Sequence, residues 1–495
     1  MSRRSSRLTV AAVVVWLGLM AVLVRKHMPL QTTPLDDGGV ELASAAAPTA
    51  HDEWFGVYQK DHKIGHAHRT REERGSGYVF RDDSSFALAM LGAPQKLRTT
   101  LVAEVDRDDA LRRFDFHLVS QATSFAARGE VEGDRLHVRF GAFGAEQAID
   151  LPLTEPIRLP SALRPRLARR GAKPGERFTA PAFNPMTMKS EPLTLTVVGR
   201  ETIPGPDGPV DALRVREEHQ GLAAEAWLAP DGSALREEAS LGFTLVREPA
   251  EVALTGADAA APVDLVVASR IRVHGEIADP RHLRRLTLRV SGDASSLIPV
   301  DPPRQTMAGD RLVIAREEMP VPAAPGLPPP GSGSADVAAL LVPTPFIESD
   351  DPAVRRMAEA IVGSEQDVRI AARRLLEWIG KNMKQEPSLT VPSAREVLAS
   401  LRGDCNEHAV LFAALARAAG IPARVVAGAV YGDDGFYYHA WNELWLGGWV
   451  SADAVFGQMP ADATHVKLLE GGPERHLALA EMIGKLEFTT LETAS

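Results

Sequence analysis

The residues best suited to chemistry in this chain are its single cysteine, Cys405, and the later His439 and Asp453. Cys405 opens an apolar-periodic segment that ends at Gly420, so the pattern predicts a helix with the thiol at or near its N-terminus. The N–H groups and dipole of a helix N-terminus favour the reactive thiolate. An imidazole can take and return a proton, and a carboxylate on its far nitrogen fixes the required tautomer. The order therefore predicts Cys405 as nucleophile, His439 as base and Asp453 as the residue that orients the imidazole.

The segments after the helix change to the period of strands. Two strands are predicted at 423–430 and 436–446, and one face of the second carries Tyr437, His439, Trp441, Glu443 and Trp445. A two-residue Gly-Gly loop would pair Leu446 with Trp449 and put His439 and Asp453 on opposite faces of the sheet. A three-residue loop would pair Trp445 with Trp449 and put Asp453 diagonal to His439 on one face. A working triad therefore predicts the three-residue loop or a compensating bulge.

Three segments carry a resemblance to a known family: GDCNEHAVLFAALARAAGIPARVVAG at 403–428, YHAWNELWL at 438–446 and WVSAD at 449–453. In this order they strongly resemble the transglutaminase-like superfamily, whose α+β fold is related to that of papain. The resemblance implies a Cys–His–Asp triad at Cys405, His439 and Asp453, and it covers roughly residues 350 to 460. Members include protein cross-linkers, deamidases, proteases and amidases. The resemblance therefore indicates a reaction class rather than a substrate.

Other residues near the triad have more ordinary interpretations. Trp441 and Trp449 are candidates for the substrate cleft, although such tryptophans more often fill a core or a cleft wall. Glu407 and His408 lie in the first turn of the predicted helix, and we assign them no catalytic role. Asp404 is interpreted as a cap or turn residue.

The sequence gives no strong signal for a metal or a cofactor. His62, His66 and His68 suggest a metal site, but no nearby acidic residue or cysteine completes the set, so exposed polar residues of a hairpin are favoured. There is no phosphate-binding loop, dinucleotide-binding turn or zinc-ligand set. The eukaryotic cross-linkers of the resembling family use calcium, but no acidic ligand loop is evident here. We therefore predict no cofactor and no metal.

An uncharged run of seventeen residues from Leu8 to Val24 lies near the N-terminus. At 1.5 Å per residue it reaches across a thin hydrocarbon core, and it favours an uncleaved signal anchor over a cleaved signal peptide. Arg3, Arg4 and Arg7 before the run outweigh the charges after it. The positive-inside rule then leaves the N-terminus in the cytoplasm and the bulk of the chain on the periplasmic, extracytoplasmic side of the cell membrane.

Composition limits the partners and the compartment. The formal net charge of -10 and the pI of about 5.8 argue against nucleic acid as a partner. A chain with one cysteine forms no internal disulfide, so the thiol stays free even in an oxidising space. With 495 residues and 45% hydrophobic composition, the chain is long enough for several hydrophobic cores. The sequence leaves the oligomeric state open.

The predicted fold class is α+β, with a C-terminal transglutaminase-like, papain-like domain that follows antiparallel β-rich domains and one transmembrane helix. The predicted segments are a cytoplasmic stub and anchor at 1–27, a linker at 28–52, a β-rich open barrel or sandwich at 53–250, a small β-rich domain at 262–320, a Pro/Gly linker at 321–336 and the catalytic domain at 337–495. In the last domain we expect a helix at 352–362, an apolar stripe on the next helix, a capping box at Ser393, and a helix and a strand in the tail.

The sequence thus predicts a membrane-anchored cysteine enzyme that performs acyl transfer or hydrolysis at protein or peptide amides. Two alternatives remain. The first is a cysteine protease or amidase of envelope peptides. The second is a catalytically inactive module that binds a peptide.

Overall fold

The computed structural model describes residues 49–495 with short gaps. The gaps are 60–61, 91–92, 121–123, 143–144, 160–162, 165–166, 169–170, 186–188, 220–221, 240–241, 257–268, 293–294, 296–297, 322–325, 330, 387–392, 433, 473–478, 480–481 and 483. The predicted anchor and nearly all of the linker at 28–52 lie outside the described residues. Among the helices that the structure does describe, none is both long and apolar enough to cross a membrane. The described chain divides into two compact units, which meet in sequence between residues 264 and 265.

The first unit is an antiparallel sheet in which fourteen described strands follow the order β8-β7-β6-β5-β4-β3-β2-β1-β14-β13-β12-β11-β10-β9. The strands are β1 Thr49–Gln59, β2 His62–Arg74, β3 Gly77–Met90, β4 Ala93–Asp106, β5 Leu111–Ser120, β6 Ser124–Glu132, β7 Arg135–Ala142, β8 Ala145–Pro152, β9 Arg177–Asn184, β10 Lys189–Gly205, β11 Gly208–His219, β12 Leu222–Leu228, β13 Ala234–Ala239 and β14 Phe243–Arg247. A short helix, α1 Ala250–Ala253, follows.

Buried and exposed residues alternate along the strands of the first unit, and this alternation explains why they form a sheet. In β5, Phe114, Phe116 and Leu118 are buried while the residues between them are partly exposed. This period of two gives each strand one apolar face, which the sheet buries. The prediction of a large antiparallel β-rich region is therefore confirmed.

The second unit contains the predicted catalytic segment. Its strands and helices are β15 Arg272–His274, β16 Arg285–Ser291, β17 Gln305–Ala308, β18 Arg311–Ala315, α2 Ala335–Ala338, α3 Pro352–Val362, α4 Val368–Asn382, β19 Lys384–Gln385, α5 Ala394–Ser400, β20 Arg402–Gly403, α6 Cys405–Ala418, β21 Ala423–Tyr431, β22 Phe436–Trp445, β23 Trp449–Ala452, β24 Val466–Glu470 and β25 Glu487–Ala494. The main sheets have the orders β15-β25-β16-β18-β17 and β23-β22-β21-β24.

The helices begin where the sequence predicts them. Asp351 caps α3 by accepting a hydrogen bond from the backbone of Ala353 at 2.7 Å. The predicted apolar stripe of α4 is buried. The capping box expected at Ser393 is replaced there by a bond from its hydroxyl to Glu348. A capping box forms instead at α6, between Asp404 and Glu407.

The small β-rich domain predicted at 262–320 is not a separate unit among the described residues. The final strand β25 pairs with both β15 and β16, so a strand from the C-terminal tail completes the earlier sheet. One apolar core joins Leu286 and Ile314 of this sheet with Tyr438 of β22 and Val466 of β24. A short sheet with a single covered face gains stability by sharing a core, which explains the difference from the prediction.

The Pro/Gly segment predicted as a linker at 321–336 also differs from a free tether where it is described. Leu327 packs against the core that contains Cys405, and the backbone N–H of Gly326 donates to Gln366 at 2.9 Å. The apolar side chain of Leu327 favours packing of this stretch against that core. Proline and glycine prevent regular structure here but do not prevent packing.

Candidate active site

Cys405 is the first residue of α6, as the sequence predicts, and its side chain is fully buried. The helix is buried on nearly all sides because other helices and the strands β21 and β22 surround it. The side chain of Asn442 on β22 donates to the carbonyl of Ala409 on α6 at 2.9 Å. This bond fixes the helix against the strand that carries His439.

The thiol is not held as a thiolate, contrary to the expectation from its position. Burial raises the pKa of Cys405 well above its usual value, and the charges of Asp404 and Glu407 raise it further, while the backbone of Ala440 opposes the rise. Burial is the main cause of the difference, and the capping box adds to it. Asp404 accepts the backbone N–H of Asn406 at 2.7 Å, and Glu407 accepts that of Asp404 at 2.9 Å. Carboxylates therefore occupy the helix N-terminus that was expected to favour the thiolate.

His439 and Asp453 are brought together by the register of β22 and β23. Trp445 pairs with Trp449 across a three-residue loop, which confirms that part of the prediction. The register places Asp453 on the face of β22 that carries His439. His439 Nε2 and Asp453 Oδ2 are 2.6 Å apart, and both side chains are fully buried. The other ring nitrogen of His439, Nδ1, is buried and lacks a hydrogen-bond partner among the described residues.

Asp453 accepts hydrogen bonds at both carboxylate oxygens. Oδ1 accepts the backbone N–H groups of Val455 at 2.7 Å and Phe456 at 3.1 Å. Oδ2 faces His439 and also His465, whose Nε2 lies 2.9 Å away. Burial opposes ionisation of Asp453, but the two histidines outweigh it and hold the pKa of the carboxyl well below its usual range. Asp453 is thus a buried anion.

His465 and its partner Asp462 are members of the site that the sequence reasoning missed. His465 Nδ1 lies 3.2 Å from Asp462 Oδ1, and Asp462 in turn accepts from Arg281 at 2.8 Å. The feature of the sequence that could have indicated these two residues is the run Asp-Ala-Thr-His from Asp462 to His465, which follows Asp453 closely. Nothing in that spacing specifies contact with Asp453.

Arg304 fixes the loop that carries these groups. Its guanidinium donates to Glu317 at 2.5 Å, to Ser451 Oγ at 3.0 Å and to the carbonyl of Asp462 at 2.9 Å. Arg304 is itself buried. The segment before α3, which contains Arg304 and Glu317, therefore helps to shape the site.

The two candidate cleft tryptophans occupy different places. Trp441 is buried, with its ring stacked near His439 at a centroid distance of 6.3 Å and edge-on to His465 at 5.2 Å. It forms a wall of the site. Trp449 packs edge-on to Trp445 at 5.4 Å. Six residues separate Trp445 from His439 along β22, which is roughly 20 Å, so Trp449 is not beside the histidine.

Among the residues that the structure describes, two groups of side chains bring ligand atoms close enough for a metal ion. The first is His439, Asp453 and His465, where the separations of 2.6 and 2.9 Å are those of hydrogen bonds. The second consists of three acidic residues, Asp301, Glu443 and Glu470, and Lys467 donates to all three. Both groups are explained by hydrogen bonds and ion pairs.

The N-terminal histidines have polar and aromatic partners of their own. His68 Nε2 lies 2.8 Å from Asp52 and its ring stacks on Trp54 at 4.0 Å. Burial lowers the pKa of His66, and Lys96 and Lys63 lower it further. These contacts agree with the interpretation of polar strand residues.

The fold and the site define a class, the transglutaminase-like domains on which cysteine hydrolases and transferases are built. Residues 355–454 match the sequence model of the transglutaminase-like superfamily. This segment contains Cys405, His439 and Asp453, and the prediction of a transglutaminase-like domain is confirmed for it. An uncharacterized protein of Haemophilus influenzae is 35% identical over 100 residues, which are 19% of this chain and 27% of the relative. The match thus spans about a quarter of that protein.

Two solved structures are similar at low scores. One, titled a "putative cysteine protease" and from Cytophaga hutchinsonii, has a TM-score of 0.27 and 20% identity, and covers 46% of this chain and 81% of that chain. The other is a beta-barrel-like protein with a domain of unknown function from Brucella abortus. It has a TM-score of 0.32 and 12% identity, and covers 40% of this chain and 94% of that chain.

Proposed function

We propose that the transglutaminase-like domain is a cysteine enzyme in which Cys405 forms a thioester with the acyl group of a protein or peptide amide. One observation carries the proposal. His439 is held by Asp453 at Nε2, while its Nδ1 is buried without a partner among the described residues. An imidazole fixed at one nitrogen and unoccupied at the other, on a strand that packs against the helix that begins with Cys405, is suited to act as a base.

The reaction follows from these positions. His439 Nδ1 takes the thiol proton as Cys405 Sγ attacks the amide carbonyl, and the carbonyl oxygen becomes an oxyanion. As the first residue of α6, Cys405 has a backbone N–H without an acceptor within the helix, and it can donate to that oxyanion. The tetrahedral intermediate collapses, the C–N bond breaks and His439 gives its proton to the departing amine. Water or a second amine then attacks the thioester, His439 takes its proton, and the thiol leaves with that proton.

The raised pKa of the thiol decides when the proton moves. A thiol that is neutral at rest requires its base during the attack itself, whereas a stable thiolate would require none. His439 therefore has to be unprotonated at Nδ1 before the reaction. Its bond to Asp453 selects the required tautomer, because a neutral ring that donates from Nε2 keeps its lone pair on Nδ1.

The full burial of Cys405 favours a second candidate, an inactive module that binds a peptide while the cysteine only packs in the core. The two candidates differ in whether Cys405 responds to His439. Because Cys405 is buried, a reagent reaches it only after the protein opens locally. This opening step is the same in wild type and variant, so the ratio of their alkylation rates isolates the contribution of the imidazole.

The deciding experiment is alkylation of the full-length chain by iodoacetamide, followed by intact mass. The single cysteine assigns every adduct to Cys405. We expect His439→Ala to lower the rate at neutral pH by about 10²-fold, the lower end of general-base effects. The matched control His282→Ala replaces a largely exposed histidine and should leave the rate unchanged. Equal rates in all three proteins would favour the binding module.

Hydrolysis and transfer are separated by a second assay. The chain is incubated with dimethylated casein and a biotinylated primary amine, with Cys405→Ala as the blank. Biotin on casein indicates a transferase, whereas new casein fragments without biotin indicate a protease or amidase. Release of ammonia alone indicates a deamidase.

We further propose that residues 8–24 anchor the chain in the cell membrane with the catalytic unit on the extracytoplasmic side. The uncharged run and the arginines before it support this arrangement. Carbonate extraction of membranes should leave the chain in the pellet. A protease added to the intact outer face of the membrane should reach an epitope at the C-terminus but not one at the N-terminus. A chain that washes off with carbonate would contradict the anchor.

A further inference from the structure

His465 lies in the loop between β23 and β24 and is fully buried. Both of its ring nitrogens face acceptor oxygens. Nε2 is 2.9 Å from Asp453 Oδ2, and Nδ1 is 3.2 Å from Asp462 Oδ1 and 3.3 Å from the carbonyl of Asp462. A neutral imidazole carries one N–H and one lone pair, so it could satisfy only one of these two sides. Ionised carboxylates and carbonyls only accept, and both ring nitrogens therefore have to donate.

We infer that His465 is a charged imidazolium at neutral pH that positions and neutralises Asp453, and thereby keeps His439 available as a neutral base. The inference rests on the proposed function of His439. It makes His465 a positioning residue, because it acts through its contact with Asp453.

Two carboxylates flank His465 and favour its charge, and each of the two nearby arginines is paired with a carboxylate. Asp453 lies after β23 and Asp462 lies in the same loop, while Arg281 binds Asp462 at 2.8 Å. Arg304 donates to the carbonyl of His465 at 3.5 Å and pairs with Glu317. The ring of His439 has its centroid 5.9 Å from that of His465. Burial works against the charged form, but Asp462 and Asp453 outweigh it and raise the pKa of His465.

These groups form a chain of alternating charge, Asp453, His465, Asp462 and Arg281, which sums to zero without His439. Asp453 therefore has a counter-charge already, and it does not need a second proton on His439. If the charge of His465 is removed, a buried carboxylate is left to attract that proton, because an unpaired charge in the interior is costly. His439 would then rest as an imidazolium, without the lone pair that the reaction uses.

The first test observes the protonation state directly. The full-length chain is labelled with ¹⁵N-histidine, and the ring signals of residue 465 are assigned by their loss in His465→Gln. We expect both ring nitrogens of His465 to carry protons at pH 7.5 to 8. A bare ring nitrogen would overturn the inference. This result does not depend on catalysis, so it stands even if Cys405 proves unreactive.

The second test measures the pH dependence of Cys405 alkylation in wild type, His465→Gln and Asp462→Asn. Glutamine can still donate to Asp453 but carries no charge, and Asp462→Asn weakens the charge without altering the histidine. We expect the acidic limb of the profile to move up by about one pH unit in both variants, with rates that recover at high pH. Asp434→Asn, at a surface carboxylate that pairs with Arg270, is the control and should leave the profile in place.

The alternatives give different profiles. A uniform loss of rate at every pH would show that His465 only supports the fold, and it would overturn the inference. A profile that His439→Ala does not change at any pH would instead reject the proposed function, and the ¹⁵N signals would still report the charge of His465. Because two variants remove the charge by different routes, failure of one to fold leaves the other to decide.

Discussion

His439 Nε2 lies 2.6 Å from Asp453 Oδ2, and this contact exists because Trp445 pairs with Trp449. A shift of one residue in that pairing would move Asp453 to the opposite face of the sheet, since side chains alternate along a strand. The position of the carboxylate is therefore set by a loop, Leu446 to Gly448, that lies at the far end of the strand.

Asp453→Asn should disable the site. An amide can accept from His439 only through its oxygen, and it cannot balance the imidazolium that forms during the reaction. We expect amide turnover to fall by about 10³ to 10⁴-fold, as when the carboxylate of a serine protease triad is replaced. Turnover would be measured on the casein substrate. Asp310→Asn, at an exposed aspartate that pairs with Arg289, should retain full activity.

The loop can be tested by deleting one of its residues. Deletion of Gly448 should keep a three-residue loop, because leucine rarely adopts the positive φ that a two-residue Leu446-Gly447 loop requires. Leu444 then pairs with Trp449, and Asp453 turns away from His439. We expect loss of the His439 dependence of Cys405 alkylation, while circular dichroism stays close to that of wild type. Gly448→Ala keeps the length, and its added Cβ would meet Pro320 at 3.4 Å, an ordinary contact, so it should behave as wild type. Retained dependence in the deletion variant would mean that a bulge restores the register.

The features of the second unit that the sequence predicted correctly are all specified by local patterns. The helical period of the apolar residues predicts α6, and the alternation of residues predicts β22. The short distance in sequence from Trp449 to Asp453 leaves the loop length to decide which face of the sheet carries Asp453. These are short-range relations within about one hairpin. They place His439 and Asp453 once the loop is known.

The residues that the sequence missed depend on distant parts of the chain. Arg304 contacts Ser451 from 147 positions away, and Arg281 contacts Asp462 from 181 positions away. The pairing of β25 with β16 is of the same kind. Burial of Cys405 is also a tertiary property, and it reversed the expected direction of the thiol pKa. Periodicity carries no information about such contacts.

Arg304 should be important for stability although it lies far from Cys405, His439 and Asp453 in sequence. Its side chain is 3% exposed and that of its partner Glu317 is 8% exposed, so Arg304→Met leaves a buried carboxylate without its counter-charge. We expect the second unit to lose about 3 kcal/mol of unfolding free energy. Arg289→Met removes an arginine from an exposed pair with Asp310 and should cost less than about 0.5 kcal/mol. Urea-dependent labelling of Cys405 measures the second unit alone, since the chain has no other thiol. Equal midpoints for the two variants would contradict the prediction.

Asp462 and His465 should make the stability of the second unit depend on pH in two directions. Burial opposes ionisation of Asp462, but His465 and Arg281 outweigh it and lower its pKa. Its contribution is therefore present above the unfolded value near 4 and is lost as pH falls through the folded pKa. The pKa of His465 is raised, so its contribution is complete below about 6.5 and is lost as pH rises through the folded value.

The free energy difference between wild type and Asp462→Asn should therefore be largest between about pH 4 and 6.5, at about 3 kcal/mol, and should shrink on both sides. Hydrogen exchange of the β22 amides, compared between proteins at the same pH, measures this difference. Asp279 and His282 provide a matched control, because they form the same i,i+3 contact of carboxylate and Nδ1 at 2.7 Å but are largely exposed. Asp279→Asn should alter exchange by less than the equivalent of about 0.5 kcal/mol at every pH. A flat difference for Asp462→Asn across this range would mean that the buried chain of charges does not titrate with folding.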